Sequence, residues 1–262
     1  MSNEMRYSVA ARNLVRASEN KIHDDATARA LGYAGGLVAG VDVYAILCHL
    51  PVACWERAWL ETGEVNCQLL KPVYDGQMTS VTAELAGDEL QMILDCEGVQ
   101  CAKAVASLTP GPPLPELEAY QARPLPAERP AAGTTSLAEG TQLGTVQVTI
   151  TRAAAEAYLD GIAEPLPLYR HEGLVHPGQI LRLANSALKE NVVLGPWIHT
   201  HSTVRNFSPG KVGETLFCRA RVRSNTERKG HRFAGLDACV LAEDGRLVAH
   251  ILHTAIYQPR GR

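Results

Sequence analysis

Gly36-Leu37-Val38-Ala39-Gly40-Val41-Asp42-Val43-Tyr44-Ala45-Ile46-Leu47-Cys48-His49-Leu50 is apolar at helical spacing, and it decides how the rest of the chain is read. Four segments with strand character follow it, Glu64 to Leu70, Met78 to Ala86, Leu90 to Glu97 and Ala102 to Thr109. Turn signals such as Tyr74-Asp75-Gly76 and Ala86-Gly87-Asp88 separate them. A long apolar helix followed by antiparallel strands can bury that helix only if the sheet wraps around it. Ahead of the helix, Arg6 to Asn13 alternates like a strand and Asp24 to Leu31 reads as a short helix.

The plan recurs. Gly36-Leu37-Val38 returns as Gly173-Leu174-Val175, an offset of 137, and the same offset carries Pro72 onto Pro209, Gly76 onto Gly213 and Ala83 onto Ala220. The second half offers a strand over Thr145 to Thr151, helices over Arg152 to Asp160 and Leu174 to Leu188, and strands through Tyr257. Between the halves stand seven of the 15 prolines, at Pro110, Pro112, Pro113, Pro115, Pro124, Pro126 and Pro130. That density cannot continue a helix or a central strand and reads as a linker. The expected division is a domain over residues 1–108, a Pro-rich linker over 109–141 and a second domain over 142–262, of class α+β.

Composition narrows the function. The 25 Lys and Arg against 28 Asp and Glu in 262 residues leave a net charge of −3, without the basic surface that nucleic acid requires. Met1 to Asn13 has no apolar core of a secretory signal, so a cytoplasmic protein is expected. Gly36 to Cys54 is the most membrane-like stretch, but Asp42, His49 and Pro51 interrupt it, which predicts a buried helix and no membrane partner. Seven cysteines without a Cys-x-x-Cys pair predict reduced, mostly buried thiols. No nucleophile elbow and no Gly-x-Gly-x-x-Gly after a strand is present.

The chemistry concentrates at Ser18-Glu19-Asn20-Lys21-Ile22-His23-Asp24-Asp25, followed by Ala28-Arg29-Ala30-Leu31-Gly32-Tyr33 and Gly36-Leu37-Val38-Ala39-Gly40. This run resembles the hydratase signature of the MaoC-like family of hotdog proteins, and Leu70-Lys71-Pro72-Val73-Tyr74-Asp75-Gly76 is similar to that family's strand and turn after the central helix. The resemblance implies a double hotdog, two tandem domains each with a curved antiparallel sheet around a central helix. It implies hydration or dehydration of an enoyl or 3-hydroxyacyl thioester, with coenzyme A as part of the substrate and no other cofactor or metal. His23 falls on the family's histidine, Asn20 on its asparagine and Gly40 on the helix-start glycine, 17 residues beyond His23. An amide at a helix start suits a developing enolate oxygen.

Ser18 stands where the family has its aspartate, and Lys21 where it has proline. Three outcomes stay open: Glu19, Asp24 or Asp25 supplies the carboxylate, His23 acts alone, or hydration is absent. A thioesterase and a non-catalytic acyl-binding protein are the alternatives. Asp24, Asp25, Gly36, Lys71, His171, His176 and Arg205 are the further candidates for contact with substrate, with Lys211 a weaker one. The offset puts Asn20 on Ala157 and His23 on Asp160, so one working site per chain is expected. His199 and His201 read as neighbours on one face of a strand, and His231, His250 and His253 as structural. The duplication supplies a partner domain within the chain, and a homodimer of such pseudo-dimeric chains is the further assembly that fits.

Overall fold

The computed structural model describes residues 4–108 and 114–260. Pro110, Pro112 and Pro113 of the linker lie outside the described residues. The first half runs β1 (Glu4–Ala10), a 3-10 turn over Lys21–His23, α1 (Asp25–Ala30), α2 (Gly40–Thr62), β2 (Glu64–Leu69), β3 (Met78–Ala86), β4 (Glu89–Cys96) and β5 (Val99–Ser107). The second runs β6 (Val146–Thr149), α3 (Arg152–Gly161), α4 (Leu168–Glu172), α5 (Pro177–Lys189), β7 (Ile198–Asn206), β8 (Thr215–Arg228), β9 (His231–Ala242) and β10 (Leu247–Gln258).

The ten strands form one antiparallel sheet in the order β1-β3-β4-β5-β2-β7-β10-β9-β8-β6. Read from the middle outward, each half has the same strand sequence, and the halves join edge to edge where β2 pairs with β7 from Glu64 opposite Arg205 to Gln68 opposite His201. Each half thereby covers the other's open strand edge, which would otherwise present unpaired backbone groups.

The offset of 137 holds in the structure. α2 starts at Gly40 and α5 at Pro177, and β3 starts at Met78 and β8 at Thr215. The bridge Leu37 to Tyr74 has its counterpart in Leu174 to Lys211. Gly76 and Gly213 both adopt positive φ, 79° and 90°, in the turns that lead into β3 and β8, a backbone conformation open to glycine at no steric cost. Sequence matches at these positions mark turns that only one residue type serves well.

α2 is buried continuously from Val41 to Val52, as expected of a helix enclosed by a sheet on one side and by a second helix on the other. It differs from the span expected over Gly36 to Leu50. Residues 36–39 are extended, with the Val38 amide donating to the Val73 carbonyl at 2.8 Å, so the helix begins four residues later. It also continues past Pro51 to Thr62, with a break at Glu56, whose φ is 49°. α5 is amphipathic instead, burying Ile180, Leu181, Ala184 and Leu188 against the shared core.

The described part of the linker is packed against the second half. Tyr120 donates to Asp237 Oδ1 at 2.6 Å, Leu137 is fully buried, and Ala131 bridges to Val193. No helix among the described residues is long and apolar enough to cross a membrane. All seven cysteines are free, six of them buried.

Candidate active site at the seam of the two halves

His23 ends the 3-10 turn ahead of α1, and its position is fixed from several sides. The turn starts because Asn20 Oδ1 accepts from the Ile22 amide at 3.3 Å, a side-chain cap. Asn13 Nδ2 donates to the His23 carbonyl at 2.9 Å. Gly36 passes directly beneath, where a Cβ would stand 2.2 Å from the same carbonyl oxygen, so any larger residue would push the loop out of place. The Gly36 amide is held in turn by Asp25 Oδ1 at 2.8 Å.

The imidazole is buried at 9% exposure. Its Nδ1 lies 2.7 Å from the Leu37 carbonyl, which can only accept, so Nδ1 carries the proton. Nε2 then has its lone pair free and takes a bond of 3.3 Å from Asn20 Nδ2. Asn20 is itself oriented by the second half, with Nδ2 donating to the Trp197 carbonyl at 2.9 Å and Oδ1 accepting from the Trp197 amide at 3.2 Å. Burial holds the His23 pKa below its ordinary value, against an opposing bond from Leu37 and the charge of Asp42. The ring is therefore a neutral base at neutral pH.

Two cavities, of about 160 and 260 Å³, meet at Asn20, His23, Ala39, Asn185 and Trp197. The smaller opens past Ser18 and the cations Arg129, Arg182 and Lys189. The larger runs along the start of α2, past Gly40, Lys71 and His199. A pocket at the interface of two domains is a common place for a ligand.

None of the three carboxylates expected to stand in at Ser18 reaches His23. Glu19 pairs with Arg129 at 2.9 Å, Asp24 caps α1 through the Thr27 amide at 2.9 Å, and Asp25 holds Gly36. Ser18 itself lines the smaller cavity, its hydroxyl donating to the Asn20 carbonyl at 3.3 Å. The carboxylate whose charge acts on His23 is Asp42, in the first turn of α2. Its Oδ1 accepts from Tyr158 Oη at 2.9 Å and from Arg182, and its Oδ2 is buried without a partner. In the sequence Asp42 stands out only as an interruption of the apolar stretch and not as a site residue. The available signal was a charged residue inside an otherwise apolar helix, which must find a partner when buried.

The remaining candidates divide. Lys71 lines the larger cavity with His23 and Gly40. His171, on α4, and Lys211 line neither cavity, and the Lys211 amide is bonded to Glu214. Arg205 lies on β7 over the Phe207 ring at 5.1 Å, away from both cavities. His176 caps α5, its Nδ1 accepting from the Gly178 amide at 3.0 Å, and is buried in the core 3.8 Å from Glu164. Burial would raise the Glu164 pKa, but the nearby His176 and the bond with His49 Nδ1 at 2.9 Å hold it at about 2.

His199 and His201 do not share a face. β10 pairs Thr254 with His201 and Ala255 with His199, so Thr200 is an extra residue, a β-bulge that reverses the alternation. His199 and Ser202 consequently both point inward, while His201 turns outward toward Asn66 Oδ1 at 3.2 Å. Strict alternation could not predict this.

No family model matches the sequence, and no curated protein matches it. Solved structures do. One is a protein of Chloroflexus aurantiacus described as a MaoC domain dehydratase, 12% identical, matched over 100% of this chain and 96% of its own, with a TM-score of 0.65. Another is a conserved hypothetical protein of Mycobacterium tuberculosis with a double hotdog fold, 18% identical over 98% and 96%, also at 0.65. The fold is a double hotdog. A protein of Lactobacillus plantarum described as an oleoyl thioesterase shares it at 13% identity over 99% and 98%, TM-score 0.56. At such identities the likeness concerns the double hotdog itself and leaves the reaction to the residues.

Proposed function

We propose that this double hotdog is a hydratase or dehydratase acting on an enoyl or 3-hydroxyacyl thioester, with acyl-CoA as the substrate class. The observation that carries this is the fixed tautomer of His23, whose Nε2 lone pair is presented at the meeting point of two cavities beside the N-terminus of α2. A general base must lie within hydrogen-bond reach of its water, and a neutral imidazole with one committed nitrogen meets that need. His23 removes a proton from a water held between Nε2 and Asn20, the oxygen adds to the β-carbon, and the same proton returns to the α-carbon. Charge gathering on the thioester oxygen is met by the Gly40 amide, at the positive end of the buried first segment of α2, where a helix leaves its first amides without intrahelical partners. Asn20 takes part through its Nδ2, already shared with Nε2, and Ser18 lines the same cavity.

The test is turnover of crotonyl-CoA and a panel of branched and dicarboxylic enoyl-CoAs, followed by loss of enoyl absorbance. Hydration is expected, and His23→Ala should reduce it by about 10² to 10⁴. Thiol release without loss of the double bond identifies a thioesterase instead. Thermal stabilisation by acyl-CoA without turnover identifies a binding protein.

A further inference from the structure

His199 belongs to the second half, yet it lines the larger cavity with His23 and Gly40. The ring is 5% exposed, and its Nδ1 is buried without a hydrogen-bond partner. A Cβ on Gly40 would stand 2.7 Å from that Nδ1, so the orphan nitrogen lies against the first residue of α2. The other nitrogen is tied down: Nε2 is 2.8 Å from Ser202 Oγ, which is 2.9 Å from Nδ1 of His253. The two rings lie 4.3 Å apart, and Ser202 and His253 are as buried as His199. Buried polar atoms are nearly always paired, and of the two unpaired nitrogens in this hydrogen-bonded trio, His199 Nδ1 and His253 Nε2, only the first belongs to a residue that lines the cavity, where a ligand can supply the partner.

We propose that His199 is a second catalytic group of this site: its Nδ1–H, together with the Gly40 amide, binds the thioester carbonyl oxygen and stabilises the negative charge that gathers there. Ser202 and His253 are positioning residues. In the tautomer this role requires, His253 Nδ1–H donates to Ser202 Oγ and the Ser202 hydroxyl donates to His199 Nε2, which leaves the proton of His199 on Nδ1. His199 keeps that proton throughout. The water proton goes to His23 and then to the α-carbon, and nothing is left over at His199. The imidazole is neutral, because burial holds its pKa well below the ordinary value and His253 adds to this, against a contact with the His201 backbone. A neutral donor suits an oxygen that becomes negative only during the reaction. The inference rests on the thioester reading and applies to hydration and to hydrolysis, since both place charge on the same oxygen.

The experiment uses the full chain with two probes. Crotonyl-CoA gives kcat and KM, and butyryl-CoA labelled with ¹³C at the carbonyl reports polarisation of that bond. In His199→Leu, kcat should fall by about 10² to 10³ with a much smaller change in KM, and the carbonyl shift seen with the wild type should be lost. Ser202→Ala, the milder change, should lower kcat in the same sense, and its ¹⁵N spectrum should show His199 with mixed tautomers, an effect a merely structural serine would not have. Wild-type kcat and an unchanged carbonyl shift in either folded variant, with His23→Ala inactive, overturns the role of His199 and leaves the thioester reading intact. A wild-type protein that neither turns over crotonyl-CoA nor shifts the butyryl carbonyl overturns both. If His199→Leu does not fold, Ser202→Ala decides.

Discussion

Acid should unfold this protein through two histidines that cannot accept protons while it is folded. Burial holds His253 at about 3, with His201 adding to the effect, and burial together with His253 holds His199 well below 6.5. The unfolded chain binds protons at these positions once the pH drops below 6.5, and the folded chain does not, so stability must fall as pH is lowered and is restored as it rises. The contribution is complete above the unfolded value and stops declining for His253 near 3. Each excluded proton is worth about 1.4 kcal/mol per pH unit, so His253 alone removes about 3 kcal/mol between pH 6.5 and about 4.5, and His199 acts in the same direction. Urea unfolding at a series of pH values, followed by near- and far-ultraviolet circular dichroism, measures the slope. His253→Leu lowers stability outright through the lost bond to Ser202, but the diagnostic quantity is the slope, which should decrease by about 1.4 kcal/mol per pH unit below pH 6.5. An unchanged slope in a folded variant would refute the claim that His253 stays neutral.

Further outcomes follow from single contacts. In Gly40→Ala the new Cβ would stand 2.5 Å from Leu69 Cδ1 and 2.7 Å from His199 Nδ1, so overpacking should cost about 1–3 kcal/mol, measurable as a lower melting temperature. Ser18→Asp places a carboxylate on the cavity that His23 lines and should leave hydration equal or faster, and a folded but slower variant in crotonyl-CoA turnover counts against that role for the position. Tyr120→Phe removes the hydroxyl that holds the linker to Asp237 and should cost about 1–3 kcal/mol in urea unfolding, whereas a freely hanging linker would show no change.

Much of the architecture was legible because its signals are local. An apolar run too long and too uniform for a surface helix announces a buried one, and glycine at positive φ in matched turns exposes the duplication through Gly76 and Gly213. Asn20, His23 and Gly40 could be picked out because their spacing along one short stretch carries the pattern. Asp24 and Asp25 were equally visible as chemistry, but neighbouring amides had claims on them. A carboxylate beside a helix start is as readily a cap as a catalyst.

The chain by itself determined the order of helices and strands in each half and that the Asn-x-x-His run occurs in one half and not in the other, but not the bounds of the central helix, which starts at Gly40 and runs past Pro51. It could not determine what faces that imidazole, because the answer comes from residues more than 150 positions away. Trp197 orients Asn20 through its backbone, which no side-chain pattern records. Arg182 meets Asp42 only because α5 lies on α2, and His199 reaches Gly40 only because one extra residue at Thr200 turns it inward. Periodicity fixes the face of a side chain within an unbroken element. A bulge, a helix crossing or a pairing between two halves is settled by the packing of the whole, and that is where the second wall of this site is made.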